Sequence, residues 1–505
     1  MTEHQTNHIT LVSVAIFLQV LLAAIDTTII STAMPTVVAA LGGLHLYSWV
    51  FSVYLIASTI ATPIAGKLSD QMSRKRLYLL GISGFLISSM LCGLSHNMIW
   101  LIIFRTFQGI AGGTMFAISL GLVGVLYPPH MRGKMQGFIS SLWAIASIIG
   151  PPLGAYVVQH FSWRWAFYLN LPVGLVAIYF ISRYLREPER HTQKQAVDYA
   201  GALTLAAALT CILFAVTNLE NLPFGKLAAL FGAGILLAVL LLRIEQRAQA
   251  PVIPLKLFAR REIAAANLTT LATGVGAFGL IIFAPLFVQG VMLKTATEAG
   301  LVLLPLSIGW ASGSMSSGHL VNRLGYRKLT ISGAVLMIVG FVYQVTFGVD
   351  STLFQMSSVC GLVGLGMGLV TTSVTVSVQN NAAPREIGVA TASTIFSRAL
   401  GAGIGVSLLG GLLALRIATD LQGTALAANG AVKEIRTLLL PASRAAMTPA
   451  ALAQLQHALA SGLRTVFATC AAVSIFAFLA ALRVSSRKPV RKTAPPAHEL
   501  SEERV

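Results

Sequence analysis

One acidic side chain, Asp26, lies well inside a long apolar run of this sequence. The other carboxylates near such runs sit at their ends: Glu220, Glu298, Asp350 and Asp420 at one end, Asp70, Glu262 and Glu386 at the other. An ionised carboxylate in hydrocarbon is costly unless paired or wetted, so an acid at that depth must take up a proton, face water or meet a cation. Arg105 is the matching cation. Asp26 and Arg105 lie at similar distances from the corresponding ends of the runs 11–33 and 99–126, which at ~1.5 Å per helical residue puts both about 10 Å deep. A carboxyl group exchanges a proton and a guanidinium does not, and every histidine falls in a loop or at the end of a run. Asp26 is therefore the candidate proton carrier, with a permanent Asp26–Arg105 fastener as the other reading. Arg398, deep in the run 388–415, has no acid at its depth in the second half of the chain. It bonds helix-end carbonyls, adds polarity to a cavity, or opposes an anion. Cys92, Cys211, Cys360 and Cys470 all lie in apolar runs, with neither a disulfide framework nor metal-ligand spacing.

The elements that hold these residues follow from composition. Of 505 residues 55% are hydrophobic and 10% charged, with a mean hydropathy of +0.77; a soluble domain is about 25% charged. That excludes a soluble enzyme, a secreted disulfide scaffold and a disordered chain. Apolar runs predict fourteen helices near 11–33, 45–66, 77–96, 99–126, 134–159, 164–183, 199–218, 226–243, 262–289, 299–321, 329–348, 354–378, 388–415 and 462–483. The expected fold is an all-α polytopic membrane protein. Its net charge of +18 does not point to nucleic acid, because the basic residues are spread over loops. Most of the 35 Lys and Arg fall on the side that carries the amino terminus, so both termini are expected in the cytoplasm. The start, Met1 to Thr10, lacks the basic region of a signal peptide, and the first span is expected to be retained.

An internal repeat organises the chain. Gly66-Lys-Leu-Ser-Asp70-Gln-Met-Ser-Arg74-Lys75-Arg76 and Gly318-His-Leu-Val-Asn322-Arg-Leu-Gly-Tyr326-Arg327-Lys328 align position by position, each after a predicted span. Parallel halves related about the membrane normal are a transporter plan, with cargo held between them near the midplane. The expected division is a six-helix bundle over 1–184, an inserted helix pair with connectors over 185–261, and a second six-helix bundle over 262–483. That second bundle includes an outside loop at 416–461, and a cytoplasmic tail follows over 484–505. Within the loop, Thr448-Pro449 reads as a helix start; the stretch 450–463 is either a short amphipathic helix over the outer mouth or a passive loop.

Several motifs resemble the major facilitator superfamily, and specifically its fourteen-helix drug:proton antiporter branch. They are Gly66-x3-Asp70-x3-Arg74-Lys75, with Gln71 and Ser73 departing from the usual basic residue and glycine; Ile25-Asp26-Thr-Thr-Ile-Ile-Ser-Thr-Ala-Met-Pro35; Arg105-Thr-Phe-Gln108-Gly109; Gly137-x8-Ala146-x3-Gly150-Pro151-x2-Gly154-Ala155; and Trp163-Arg164-Trp165-Ala-Phe-Tyr-Leu-Asn170-Leu-Pro172-Val-Gly174. The resemblance spans nearly the whole chain and implies a multidrug exporter, not an enzyme, driven by the proton gradient through alternating access in the inner or plasma membrane. The expected coupling ion is the proton, with no cofactor; the partners are a small-molecule cargo and membrane lipid, and the expected state is a monomer.

Residue roles follow as expectations. Asp26 and Arg105 couple proton to cargo. Gly66, Asp70, Arg74 and Lys75 form a latch between conformations, and Gly150, Pro151 and Gly154 a close-packed, kinked seam. Cargo contacts are expected from Gln19, Tyr54, Gln108, Trp143, Phe283 and Trp310, whose aromatic faces with a carboxylate suit lipophilic cations. Arg398 sets cavity polarity. An exporter of one metabolite (a siderophore, amino acid or sugar) is the second transport reading. A passive channel is the rival class, against which stands the lack of a filter-like repeat.

Overall fold

Long apolar segments can satisfy their backbone hydrogen bonds within hydrocarbon only by becoming helical or closing into a barrel, and here they are helical throughout. The structure, a computed structural model, describes residues 3–41, 46–185, 198–217, 222–248, 258–383, 386–422 and 447–486, and holds no strand among them. In the first half α1 is Glu3–Leu41, α2 Tyr47–Gln71, α3 Arg74–Gly93, α4 Met98–Leu126 and α5 Pro129–His160, followed by the one-turn α6 Trp165–Tyr168 and α7 Asn170–Tyr184. Then come α8 Tyr199–Thr217 and α9 Phe224–Arg247. The second half has α10 Arg261–Leu286, α11 Ala296–Leu324, α12 Tyr326–Val345, α13 Leu353–Asn381, α14 Ile387–Asp420 and α15 Pro449–Ala481, with a π-helical turn at Phe287–Val291 after α10.

Helix starts carry the caps their sequences provide. Asn97 accepts the Trp100 amide at 3.0 Å, and Thr295 with Glu298 and Thr352 with Gln355 form reciprocal capping boxes. Twelve helices among the described residues are long and apolar enough to cross a membrane, and a shorter apolar helix spans Ala200–Ile212. The count of fourteen crossings therefore remains an expectation. The stretch 450–463 is neither a separate amphipathic helix nor a loop. Thr448 accepts the Ala451 amide at 3.4 Å with Pro449 at the first helical position, and the helix runs on unbroken to Ala481. Its entry turns are tied to neighbours, Gln456 donating to the Val291 carbonyl at 2.9 Å. Residues 423–446 of the expected loop, the connectors 186–197 and 249–257, and the tail from 487 lie outside the described residues.

Apolar packing groups the helices. Ile16, Phe85, Met115 and Ile181 join α1, α3, α4 and α7 in one core; Leu280, Phe341, Val359 and Phe467 join α10, α12, α13 and α15 in another. The pair α8–α9 lies against α2 and α14, packing Leu205, Leu209 and Leu241 on Ile60 and Phe396.

Two glycine contacts bring the halves together at the face that carries the start of α1 and the end of α15. A Cβ on Gly66 of α2 would collide with Ala392 of α14, and one on Gly318 of α11 would collide with the Gly133 carbonyl of α5. Gly137 adds to the second seam, where a Cβ would come 2.6 Å from the Ser314 carbonyl oxygen. Gly66 and Gly318 are equivalent positions of the repeat, so one short motif builds both seams.

Candidate functional site

Asp26 and the residues gathered around it, Arg105, Gln108, Asn170 and Ser89, come from four helices. Asp26 of α1 accepts Arg105 Nη1 of α4 at 2.9 Å on Oδ2. Its Oδ1 accepts Asn170 Nδ2 of α7 at 2.6 Å and Gln108 Nε2 at 3.1 Å. Gln108 closes the ring, its Oε1 accepting the same Arg105 Nη1 at 2.8 Å. Asn170 also donates to Ser89 Oγ of α3 at 2.9 Å. Asp26 and Gln108 are 0% exposed and Arg105 1%. Arg105 is held further by the Val50 carbonyl at 3.4 Å and lies over the Tyr54 ring, its Cζ 4.3 Å from the centroid. A buried ion pair survives only when its remaining lone pairs and protons are also satisfied, and here both carboxylate oxygens are.

Beside this cluster lies a cavity of about 960 Å³ between the halves, at the upper limit of the usual range for small-molecule sites. Phe51 in the first turns of α2 and Thr297 and Gly300 in the first turns of α11 line its rim, so it extends toward the face opposite the termini. The glycine seams close it on the terminal side. Tyr54, Arg105, Trp143, Trp310 and Arg398 are on its wall.

Asp26 is not on that wall, nor is Gln108; both sit behind Arg105 and Tyr54. Two expected cargo contacts are placed elsewhere. Gln19 is 1% exposed, its Oε1 accepting Tyr78 at 2.9 Å and Ser119 at 2.6 Å, in a polar knot about two helical turns from Asp26 along α1. Phe283 is packed in the core of the second half. Both side chains point between helices of one bundle and away from the cavity, although Gln19 Nε2 has no hydrogen-bond partner there among the described residues. The cation expectation needed a carboxylate on the cavity wall, and among the described residues the wall has none.

Of the expected latch residues, Gly66 and Asp70 contact the second half. Asp70, in the last turn of α2, accepts the amides of Gly388 at 3.1 Å and Val389 at 2.8 Å at the start of α14, and Arg74 Nη2 at 2.7 Å. A carboxylate there complements the positive end of the helix. Lys75 turns away to the Ser182 carbonyl at 2.6 Å. In the equivalent place Asn322 donates to the His130 carbonyl at 2.7 Å near the start of α5. Arg132 reinforces this end by donating to the Gln379 carbonyl at 3.2 Å and to Asn380 Oδ1. Gly150 and Gly154 are buried, and Gly150 packs on Thr28 of α1, so this part of α5 belongs to the first bundle's interior. The side chain of Pro151 lies outside the described residues.

The profile described as Major Facilitator Superfamily matches residues 16–406. The chain belongs to the major facilitator superfamily. It is 34% identical over 423 residues to the multidrug transporter protein MdtP of Bacillus subtilis (strain 168), covering 82% of this chain and 77% of that one. It is 30% identical over 407 residues to the multidrug efflux pump SdrM of Staphylococcus aureus (strain N315), covering 80% and 89%. Among solved structures, the human organic anion transporter MFSD10 superposes with a TM-score of 0.65 at 15% identity, over 94% of this chain and 99% of that one, a likeness of fold alone.

The facilitator fold explains why the cluster lies where it does. Its first-half helices must pack their polar groups inward because lipid covers the outside. Asn170 was visible only as part of a tryptophan-flanked motif, and Ser89 carried no sequence signal at all. Serine in an apolar helix ordinarily satisfies itself against its own backbone, and nothing local marks the one that turns to a neighbour.

Proposed function

We propose that this facilitator protein exports hydrophobic small molecules in exchange for protons, in the manner of a multidrug efflux transporter, by alternating access in the inner or plasma membrane with both termini cytoplasmic. The observation that carries this reading is the buried Asp26–Arg105 pair directly behind the wall of a drug-sized, largely apolar cavity. With the termini inside, the cavity opens outward and the seams at Gly66–Ala392 and Gly133–Gly318 close the cytoplasmic side.

The carboxylate supplies the coupling. Arg105 reaches the cavity while Asp26 does not, so Asp26 meets protons when the pair parts and its other donors, Asn170 and Gln108, rearrange. Protonation outside neutralises Asp26 and releases Arg105; deprotonation inside restores the pair. Cargo that bears on Arg105 and Tyr54 changes the same balance, which ties the two fluxes together. The reading needs no cofactor besides the proton. The similarity to MdtP and SdrM supports drug export over export of a single metabolite.

The test is dye efflux in inverted membrane vesicles with and without an imposed pH gradient, comparing wild type with Asp26→Asn. Transport should follow the gradient in wild type and lose that dependence in the variant. Gradient-driven transport by Asp26→Asn with wild-type dependence would remove the coupling role.

A further inference from the structure

Two cations and, among the described residues, no carboxylate face the cavity. Arg105 is committed to Asp26, Gln108 and the Tyr54 ring. Arg398 is not. Among the described residues it has neither an ion-pair nor a hydrogen-bond partner. What it meets is Trp310, with Cζ 5.8 Å from the ring centroid. Two residues of the same wall carry buried polar atoms that have no hydrogen-bond partner among the described residues, Trp310 Nε1 and the hydroxyl of Thr372, a residue only 3% exposed. Thr372 lies one turn beyond Gly368 of α13, which is packed against the Trp310 carbonyl of α11.

Buried polar groups are ordinarily hydrogen-bonded, and each one that is not marks a place where something else supplies the partner. The three groups share one character: each donates, and one carries a permanent positive charge. In an apolar surround a fixed guanidinium disfavours a cation and stabilises an oxyanion, which it binds through paired N–H groups.

We propose that Arg398, Trp310 and Thr372 form a subsite for an anionic oxygen group, a carboxylate or sulfonate, at the polar end of an amphipathic cargo. The apolar body packs against Phe278, Leu301 and Leu304 on the same wall. The favoured cargo is thus an organic acid or zwitterion rather than a lipophilic cation. This rests on the export reading for the use of the cavity and names the cargo class that reading leaves open.

The probes are dansylglycine, its methyl ester and ethidium, which carry an anion, no charge and a cation. Equilibrium binding to the purified transporter in detergent, followed by dansyl or ethidium fluorescence, tests the subsite without requiring transport. Wild type should bind dansylglycine more tightly than the ester. Arg398→Gln should weaken dansylglycine binding about tenfold or more, the scale of a lost charge-assisted hydrogen bond, while changing ester binding less than about twofold. Arg398→Lys, which keeps the charge, should recover part of the loss, and an unchanged thermal melting curve shows that each variant is folded. Equal weakening of acid and ester by Arg398→Gln, or wild-type preference for ethidium or the ester, overturns the subsite. Gradient-driven efflux of the ester or ethidium without binding of dansylglycine sinks this inference and leaves the export reading standing. Binding of dansylglycine that depends on Arg398, with no gradient-driven efflux of any probe, does the reverse.

Discussion

Asp70 and Val389 stand 319 positions apart, yet Oδ2 of the first accepts the backbone amide of the second at 2.8 Å. A side chain from α2 in the first half thereby caps a helix in the second. With Gly388 also donating, two of the orphan amides of α14 are satisfied by a residue that must leave them when the halves part.

Asp70→Asn keeps the shape and removes the charge. Its amide oxygen still accepts one amide, but the interaction with the helix end and the pair with Arg74 are lost. The expected shift is about 1–3 kcal/mol against the conformation closed on the terminal face. Spin-label distances between the ends of α2 and α14 should show the open population rising severalfold; an unchanged distribution rejects the latch.

Gly66→Ala tests the seam sterically. A new Cβ falls on the Ala392 side chain, with the Gly388 carbonyl oxygen 3.1 Å away, and neither neighbour can rotate aside. Overpacking of this kind costs about 1–3 kcal/mol. Gly66→Ala should lower the maximal efflux rate more than it weakens cargo binding, because the cavity is untouched. Kinetics in which only cargo affinity changed would contradict this.

Asp26→Asn leaves Arg105 buried beside a neutral group, and breaking one side of a buried pair costs about 3–5 kcal/mol. The double variant Asp26→Asn/Arg105→Gln removes both charges and should melt nearer to wild type than Asp26→Asn alone. Thermal unfolding in detergent makes the comparison. Equal destabilisation by the single and double variants would mean that the pair carries no buried charge penalty.

Asn170→Ala removes the 2.6 Å donor to Asp26 Oδ1 and leaves Ser89 Oγ without it. The expected loss is about 1–3 kcal/mol of stability, and gradient-dependent efflux should weaken though no cavity residue changes. Wild-type stability and coupling in this variant would show that the other donors suffice.

The repeat also predicts an asymmetry. Gly325 between α11 and α12 has φ +81°, a conformation that suits glycine, whereas its equivalent Ser73 has φ −60° and caps α3 by accepting the Arg76 amide at 3.2 Å. Gly325→Ala should cost about 1–3 kcal/mol in strain, because φ 81° with ψ 165° is open almost only to glycine, and Ser73→Gly only a few tenths. Melting temperatures of the two variants decide it. The serine that looked like a departure from the family pattern is a substitution of one helix-start device for another.

Much of this was legible in residue order. Long apolar runs determine helices because backbone groups in hydrocarbon have no other partners, and the matching depths of Asp26 and Arg105 followed from helical rise alone. The repeated glycine-acid-basic motif marked where the seams form. Register within a helix was not legible: Gln19, Gln108 and Phe283 looked like cargo contacts because polarity and ring area say nothing of which side faces the cavity. Nor could local patterning tell that Asn170 and Ser89 would close around Asp26, that Asp70 would cap α14, or that Arg398 would have no ion-pair or hydrogen-bond partner among the described residues. Those facts depend on how four or more helices are rotated about their axes, and that is decided only when every apolar face competes for the same shared interior.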